Sequence, residues 1–197
     1  HTPMLATILS SGGATLWAIG ACSLVGLAVA VERCWRLLPL DHRWRRRLDT
    51  LERTRQIDRA TAGDDALGRV IIRAITTAPQ GPDLARAMAL EAAQQEVPAL
   101  ERGLGILATV AQVAPLLGLL GTVIGLMEAF EAARAAPRVT PGLLADGLYK
   151  ALGTTVAGLC VAIPAWIAHN FLAGVSGRLI DRLERAAVEI PLLAPRG

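Results

Sequence analysis

Charged and uncharged positions divide the chain into three long apolar stretches with polar segments between them. Residues 14–31 run for 18 positions without a charge, residues 103–127 for 25, and residues 151–177 for 27, with His169 as the ionisable group in the last. A membrane-crossing helix needs about 20 mainly apolar residues to cover a hydrocarbon core of about 30 Å. At about 1.5 Å per residue the second stretch reaches roughly 37 Å, enough to span with tilt. Three such stretches in 197 residues predict three transmembrane helices rather than buried helices of a soluble protein.

The flanking charges predict an orientation. No Lys or Arg precedes Arg33, so the first stretch lacks the basic lead of a signal peptide. Residues 33–102 hold 13 Arg, whereas residues 128–150 hold three basic and three acidic side chains. The positive-inside rule then places the N-terminus outside and the C-terminus in the cytoplasm. The expected organisation is an external N-terminal segment 1–13, transmembrane helix 1 over 14–32 and a cytoplasmic helical loop 33–102. Transmembrane helix 2 follows over 103–128, then a short external connection 129–150, transmembrane helix 3 over 151–175 and a cytoplasmic C-terminal helix 176–197. Met4 is expected to be the initiator, with His1-Thr2-Pro3 added ahead of it.

The polar segments carry helical periodicity. Leu67, Val70, Ile71, Ala74 and Ile75 make one apolar face, with Asp64 or Asp65 available as N-cap. Ala78-Pro79-Gln80-Gly81-Pro82 breaks the chain. Asp83 is expected to cap the next helix, with Leu84, Met88 and Ala92 on its apolar side and a bend at Pro98. Leu172, Val175, Leu179, Leu183, Ala186 and Ile190 recur at near-heptad spacing after the third span. That seam serves either other helices of an assembly or the chain's own fold. No segment alternates with period two, so no sheet is expected and the fold class is an all-α membrane protein.

Composition narrows the function classes. The chain is 53% hydrophobic and 19% charged, with a mean hydropathy of +0.44, against about 25% charged residues in a soluble domain. A net charge of +3 spread along the chain does not make a nucleic-acid stripe. Cys22, Cys34 and Cys160 cannot pair completely and show no C-x-x-C spacing, so no disulfide framework, metal site or cofactor is predicted. No nucleophile elbow, phosphate loop or H-E-x-x-H motif is present, and no enzymatic activity is expected.

Inside the spans two features stand out. Ala114, Gly118, Gly121 and Gly125 lie 4, 3 and 4 residues apart, a smooth stripe along the second span. Ala151, Thr154, Gly158, Ala162 and Ala165 form a similar stripe on the third. In lipid, small residues let helix backbones approach closely, so both stripes predict tight helix contacts within a subunit or between subunits. The polar side chains are Thr109, Gln112, Thr122, Thr154, Thr155, His169 and Asn170. A threonine hydroxyl donates and accepts hydrogen bonds and can support a water chain, but it cannot hold the transported proton. Back-bonding to a helix carbonyl is the plain alternative. No carboxylate lies in a span core, so a proton relay needs an acid from another chain.

The run Leu107-Ala108-Thr109-Val110-Ala111-Gln112-Val113-Ala114-Pro115-Leu116-Leu117-Gly118-Leu119-Leu120-Gly121-Thr122-Val123-Ile124-Gly125 resembles the signature of the ExbB/TolQ/MotA proton-channel family. So do Ala151-Leu152-Gly153-Thr154-Thr155-Val156-Ala157-Gly158-Leu159 and Val31-Glu32-Arg33, and the likeness is closer to the ExbB/TolQ branch. The resemblance implies a homo-pentamer of three-span subunits in the bacterial inner membrane. It also implies an ExbD/TolR-like single-span partner dimer inside the pore, a partner Asp that carries the proton, and work passed to a TonB/TolA-like protein. It maps pore-lining threonines onto Thr122 and Thr155, with Thr154 as neighbour, and reads the small stripes as ring-packing faces. Relatives often carry Glu where this chain has Lys150, its one lysine, and Tyr where it has His169. Both are therefore candidates for the ion pathway, with pairing or snorkelling the alternative for Lys150 and a structural hydrogen bond for His169. A passive membrane scaffold is the rival function.

Overall fold

The computed structural model describes residues 13–54, 63–136 and 141–193. The expectations for Met4 and for residues 1–12 lie outside them. Among the described residues five α-helices follow in order: α1 (Gly13–Thr54), α2 (Ala66–Thr77), α3 (Pro82–Glu101), α4 (Leu104–Ala135) and α5 (Pro141–Leu193). Among the described residues there is no strand. Among the described residues, three helical stretches are long and apolar enough to cross a membrane: Ala14–Leu51, Pro82–Ala135 and Gly147–Pro191. The fold is that of an all-α membrane protein. Helix α4 continues to Ala135 and α5 starts at Pro141, so helix occupies most of the segment expected to be a short connection. Helix α5 then runs unbroken through the third apolar stretch to Leu193.

The chain forms two compact units: His1–Glu32 with Gly103–Asn170, and Arg33–Arg102 with Phe171–Gly197. In the first unit the large side chains point outward. Trp17, Leu24, Leu27, Leu116, Leu119, Val156, Ile163 and Trp166 are all exposed. An apolar surface of this extent suits lipid or a neighbouring chain and not water. Trp17 and Trp35 lie 18 residues apart on α1, about 27 Å of helix, close to the thickness of a hydrocarbon core.

The second unit has an ordinary side-chain core. Leu37, Trp44 and Leu51 of α1 recur every seven residues and are buried. So are Leu67, Val70, Ile71 and Ala74 of α2. The α5 seam Leu172, Val175, Leu179, Leu183, Ala186 and Ile190 is buried within the chain itself, so its own fold consumes the face that an assembly could have used. Burial of one such Leu or Val contributes about 1.5–3 kcal/mol.

Two sequence expectations need correction in α3. Gly81, at φ 126°, is the N-cap and Pro82 takes the first helical position, so Asp83 lies in the first turn and does not cap. Pro suits that position because its missing N–H would be unpaired there anyway. The buried face is Ala85, Ala89, Ala93 and Leu100, not Leu84, Met88 and Ala92. The reason is close approach: α3 packs against α2 through small side chains, and Leu84 is left exposed. The helix continues through Pro98 to Glu101. It stops because Arg102 is extended and Gly103 sits at φ 81°, a conformation that glycine adopts without strain.

Polar side chains tie the second unit together. Asp65 caps α2 by accepting the Gly68 amide at 3.0 Å. It also accepts the indole N–H of fully buried Trp44 at 2.9 Å and Arg47 at 2.8 Å. Arg182 donates to both the backbone and the carboxylate of Asp41, each at 2.6 Å. Arg69 grips Glu96 through Nε at 2.6 Å and Nη2 at 2.7 Å. That hydrogen bonding raises the Arg69 pKa above its usual value. Ser176 Oγ is buried with no hydrogen-bond partner.

Asp65→Ala removes a cap worth about 1 kcal/mol and strands a buried indole donor at a further cost of about 1–3 kcal/mol. Melting in detergent should fall by several degrees, whereas Asp64→Ala should stay near wild type. Equal melting of the two variants would contradict the assigned role.

Candidate functional site: a hydroxyl-lined flank on the α4–α5 pair

Contact between α4 and α5 is made backbone to backbone. A methyl carbon built on Gly158 would stand 2.6 Å from the Ala114 carbonyl oxygen and 3.1 Å from the Gly118 Cα. One built on Gly118 would lie 3.0 Å from the Thr155 Cα, and one on Gly125 3.0 Å from the Ala151 Cβ. Ala114, Gly118, Gly121, Gly158 and Ala162 are buried, and Gly125 is half-buried. Both small stripes therefore face each other within one subunit. This corrects their reading as ring-packing faces: each is already covered by the other.

Helix α1 covers one edge of this contact. A methyl on Gly121 would meet Thr154 Oγ1 at 2.6 Å and the α1 residue Thr15 at 3.2 Å, and one on Gly26 would meet Val110 at 3.2 Å. At about 100° per residue, Val110 and Gly121 lie on one side of the α4 stripe and Thr122 on the other. On α5, Thr154 stands on the α1 side, beside Gly121. Thr155 reaches Gly118 from the other side. Thr122 and Thr155 thus share the flank of the pair that α1 leaves open, and both are half-buried.

Their hydroxyls are held differently. Thr122 donates to the Leu119 carbonyl of its own helix at 2.6 Å, and Thr109 does the same toward Gly105 at 2.8 Å. Thr155 instead crosses to the Gly118 carbonyl of α4 at 3.2 Å. Thr154 donates to Ala151 at 2.7 Å or to the same Gly118 carbonyl at 3.2 Å. It is only 4% exposed, so its hydroxyl belongs to the interior of the contact and not to the open flank. The cross-helix bonds were not legible from the sequence. Small-residue spacing locates the contact but not which hydroxyl meets which carbonyl.

Lys150 and His169 lie away from this flank. Five residues turn the helix by about 140°, which puts Lys150 beyond Thr154 on the side opposite Thr155. Its side chain is exposed. His169 Nδ1 stands 3.0 Å from the Leu104 carbonyl. A carbonyl can only accept, so Nδ1 carries the hydrogen and the imidazole fastens α5 to the first turn of α4. Among the described residues no group of three or more His, Cys, Asp or Glu side chains could hold a metal ion.

The packing predicts an asymmetry between neighbouring glycines. Gly158→Ala must push the α4 backbone away and should lower melting in detergent by several degrees. Gly153→Ala meets nothing within 4 Å and should melt at or above the wild-type temperature, because alanine favours helix. Comparable losses from both would refute the close backbone contact.

Comparison with known proteins assigns the family. The MotA/TolQ/ExbB proton channel family matches residues 62–185. The chain is 45% identical over 83 residues to the biopolymer transport protein exbB1 of Vibrio cholerae, covering 42% of this chain and 36% of that protein. It is 47% identical over 88 residues to the Tol-Pal system protein TolQ of Haemophilus influenzae, covering 45% and 38%. These matches thus span little more than a third of either relative. An ExbB-like biopolymer transport protein of Synechocystis sp. is 31% identical over 207 residues, covering 98% of this chain and 80% of the relative. Together with three apolar helices, these relatives make this a multi-pass protein of the bacterial inner membrane. By both the family match and the near full-length likeness, the chain belongs to the MotA/TolQ/ExbB proton channel family, on its ExbB/TolQ branch.

Proposed function

We propose that the chain is the ring-forming subunit of a proton-driven motor, acting with its N-terminus periplasmic and its C-terminus cytoplasmic. Five copies surround a pore that holds a dimer of ExbD/TolR-like single-span partners. A carboxylate on the partner carries the proton past the Thr122 and Thr155 hydroxyls, and the resulting motion drives a TonB/TolA-like protein or another envelope process such as import. The chain itself is not an enzyme in this reading: it supplies the passage and the partner supplies the titrating group.

One observation carries the proposal. Thr122 and Thr155 occupy the same flank of the α4–α5 pair, the one that α1 leaves open, and both are half-buried there. A carboxylic acid crossing hydrocarbon pays heavily unless polar groups meet it. Two hydroxyls on one flank meet that need, as each can accept from the acid or donate to the anion. One charge moving through 100 mV releases about 2.3 kcal/mol, enough to bias a conformational step.

Lys150 is read as an anchor at the membrane surface, its ammonium snorkelling toward headgroups, and His169 as a helix fastener. The passive scaffold is supported by the back-bonding of Thr122, which leaves its hydroxyl satisfied without any ion.

Proton flux separates the two readings. With the chain and an ExbD/TolR-like subunit from the same genome in vesicles containing a pH dye, Thr122→Val and Thr155→Val should each cut flux at least tenfold. Lys150→Glu should stay within about twofold of wild type. Flux that survives both valine substitutions, or no flux from the wild-type complex, would reject the motor reading. A collapse in Lys150→Glu would put that residue back on the ion route.

A further inference from the structure

Where α1 runs through the second unit, its outer face changes character along its length. At about 100° per residue, Trp35, Leu38, Pro39, His42 and Arg46 lie within about 60° of one line. Leu37, Trp44 and Leu51 are buried on the opposite side. Trp35 is 81% exposed and Leu38 36%; Pro39, His42 and Arg46 are exposed with them. Cys34, Trp35, Leu38, Pro39 and His42 line an open groove of about 490 Å³.

Past the groove the face turns basic. Arg43, Arg45 and Arg46 are all exposed, and Asp49 is the next exposed carboxylate. Asp41 is engaged by Arg182, and Arg47 by Asp65, so both are turned into the fold. At the other end of the groove Glu32 and Arg36, one turn apart, offset each other in charge. A phospholipid presents the matching order, an apolar chain and then a phosphate. Trp35, about 27 Å of helix from Trp17, stands where hydrocarbon gives way to headgroups. His42 follows about 10 Å further along the helix. Helical side chains lean back toward the N-terminus, so Arg46 reaches toward the level of His42. A second copy docking through the same face would set arginine against arginine, and charge therefore favours lipid.

We propose that this face of α1 binds one anionic phospholipid: an acyl chain lies in the groove against Trp35 and Leu38, and His42 and Arg46 hold the phosphate. An imidazole N–H and a guanidinium both donate, and charge-assisted hydrogen bonds to phosphate are the strong ones. The site lies wholly within the second unit and requires neither the ring nor the Thr122–Thr155 flank.

The test titrates the chain in neutral detergent with phosphatidylglycerol, counts bound lipid by native mass spectrometry and uses phosphatidylcholine as competitor. The wild type should retain one lipid per chain and prefer phosphatidylglycerol at least fivefold. His42→Ala combined with Arg46→Ala should weaken that binding at least tenfold, because hydrogen bonds to a charged group contribute about that much. Arg178→Ala combined with Arg185→Ala removes two exposed arginines from α5 and should stay within about twofold of wild type. Trp35→Ala should weaken binding about fivefold through the lost acyl contact. Equal losses in the two double variants would reduce the site to diffuse surface charge and overturn the proposal. So would equal binding of the two lipids, or full binding without His42 and Arg46. Unchanged affinity in Trp35→Ala would contradict the acyl groove, and an oligomer that falls apart in that variant at constant lipid count would give the groove to a second copy.

Discussion

The approach of α4 to α5 at backbone distance is the constraint on which the rest of the membrane unit depends. Gly118 and Gly158 leave no room for a methyl between the helices. In lipid such contact is valuable, because helices there gain little from hiding apolar side chains and must associate through packing and hydrogen bonds. The same closeness brings α5 hydroxyls within reach of an α4 carbonyl. Larger side chains at these positions would separate the helices and leave Thr155 with only its own helix to bond. Packing and chemistry are therefore one feature: the glycines that hold the pair together also aim the hydroxyl.

The second unit is held by other means. Its four helical segments bury Leu, Val, Ile and Ala side chains in a core of soluble-protein type, and Trp44 is the one aromatic residue of seven that is fully buried. Carboxylates fix its geometry at a few points, Asp65 by receiving three donors and Asp41 by receiving Arg182. Such pairs contribute modest energy where partly exposed. Their larger effect is directional, since each sets the rotation of one helix against another.

Much of this was legible from residue pattern. The uncharged stretches gave three long helices, Asp65 was one of two candidate caps for α2, and the small stripes marked where helices touch. Other features were not, for identifiable reasons. The partner of each stripe depends on the order of helices around one another, which spacing along a single helix does not encode. Hence the stripes could be assigned to a ring although they face each other. The α5 heptad served equally well for an internal core until Leu172, Val175 and Leu179 were found buried. Asp83 had the chemistry of a cap, but Gly81 and Pro82 claimed the helix start through backbone geometry. Lys150 drew interest through its departure from relatives, yet a shift of five residues is enough to turn it away from Thr155.

Water access to the open flank is the most direct measure of the central claim. With Cys22, Cys34 and Cys160 replaced by serine, single cysteines at positions 122, 155 and 116 can be challenged in native membranes with a hydrophilic thiol reagent. The account predicts modification at 122 and 155 and protection at 116, because Leu116 is exposed and lies about 120° around α4 from Thr122. Protection at both threonine positions, or equal labelling at all three, would contradict a hydrated hydroxyl-lined route.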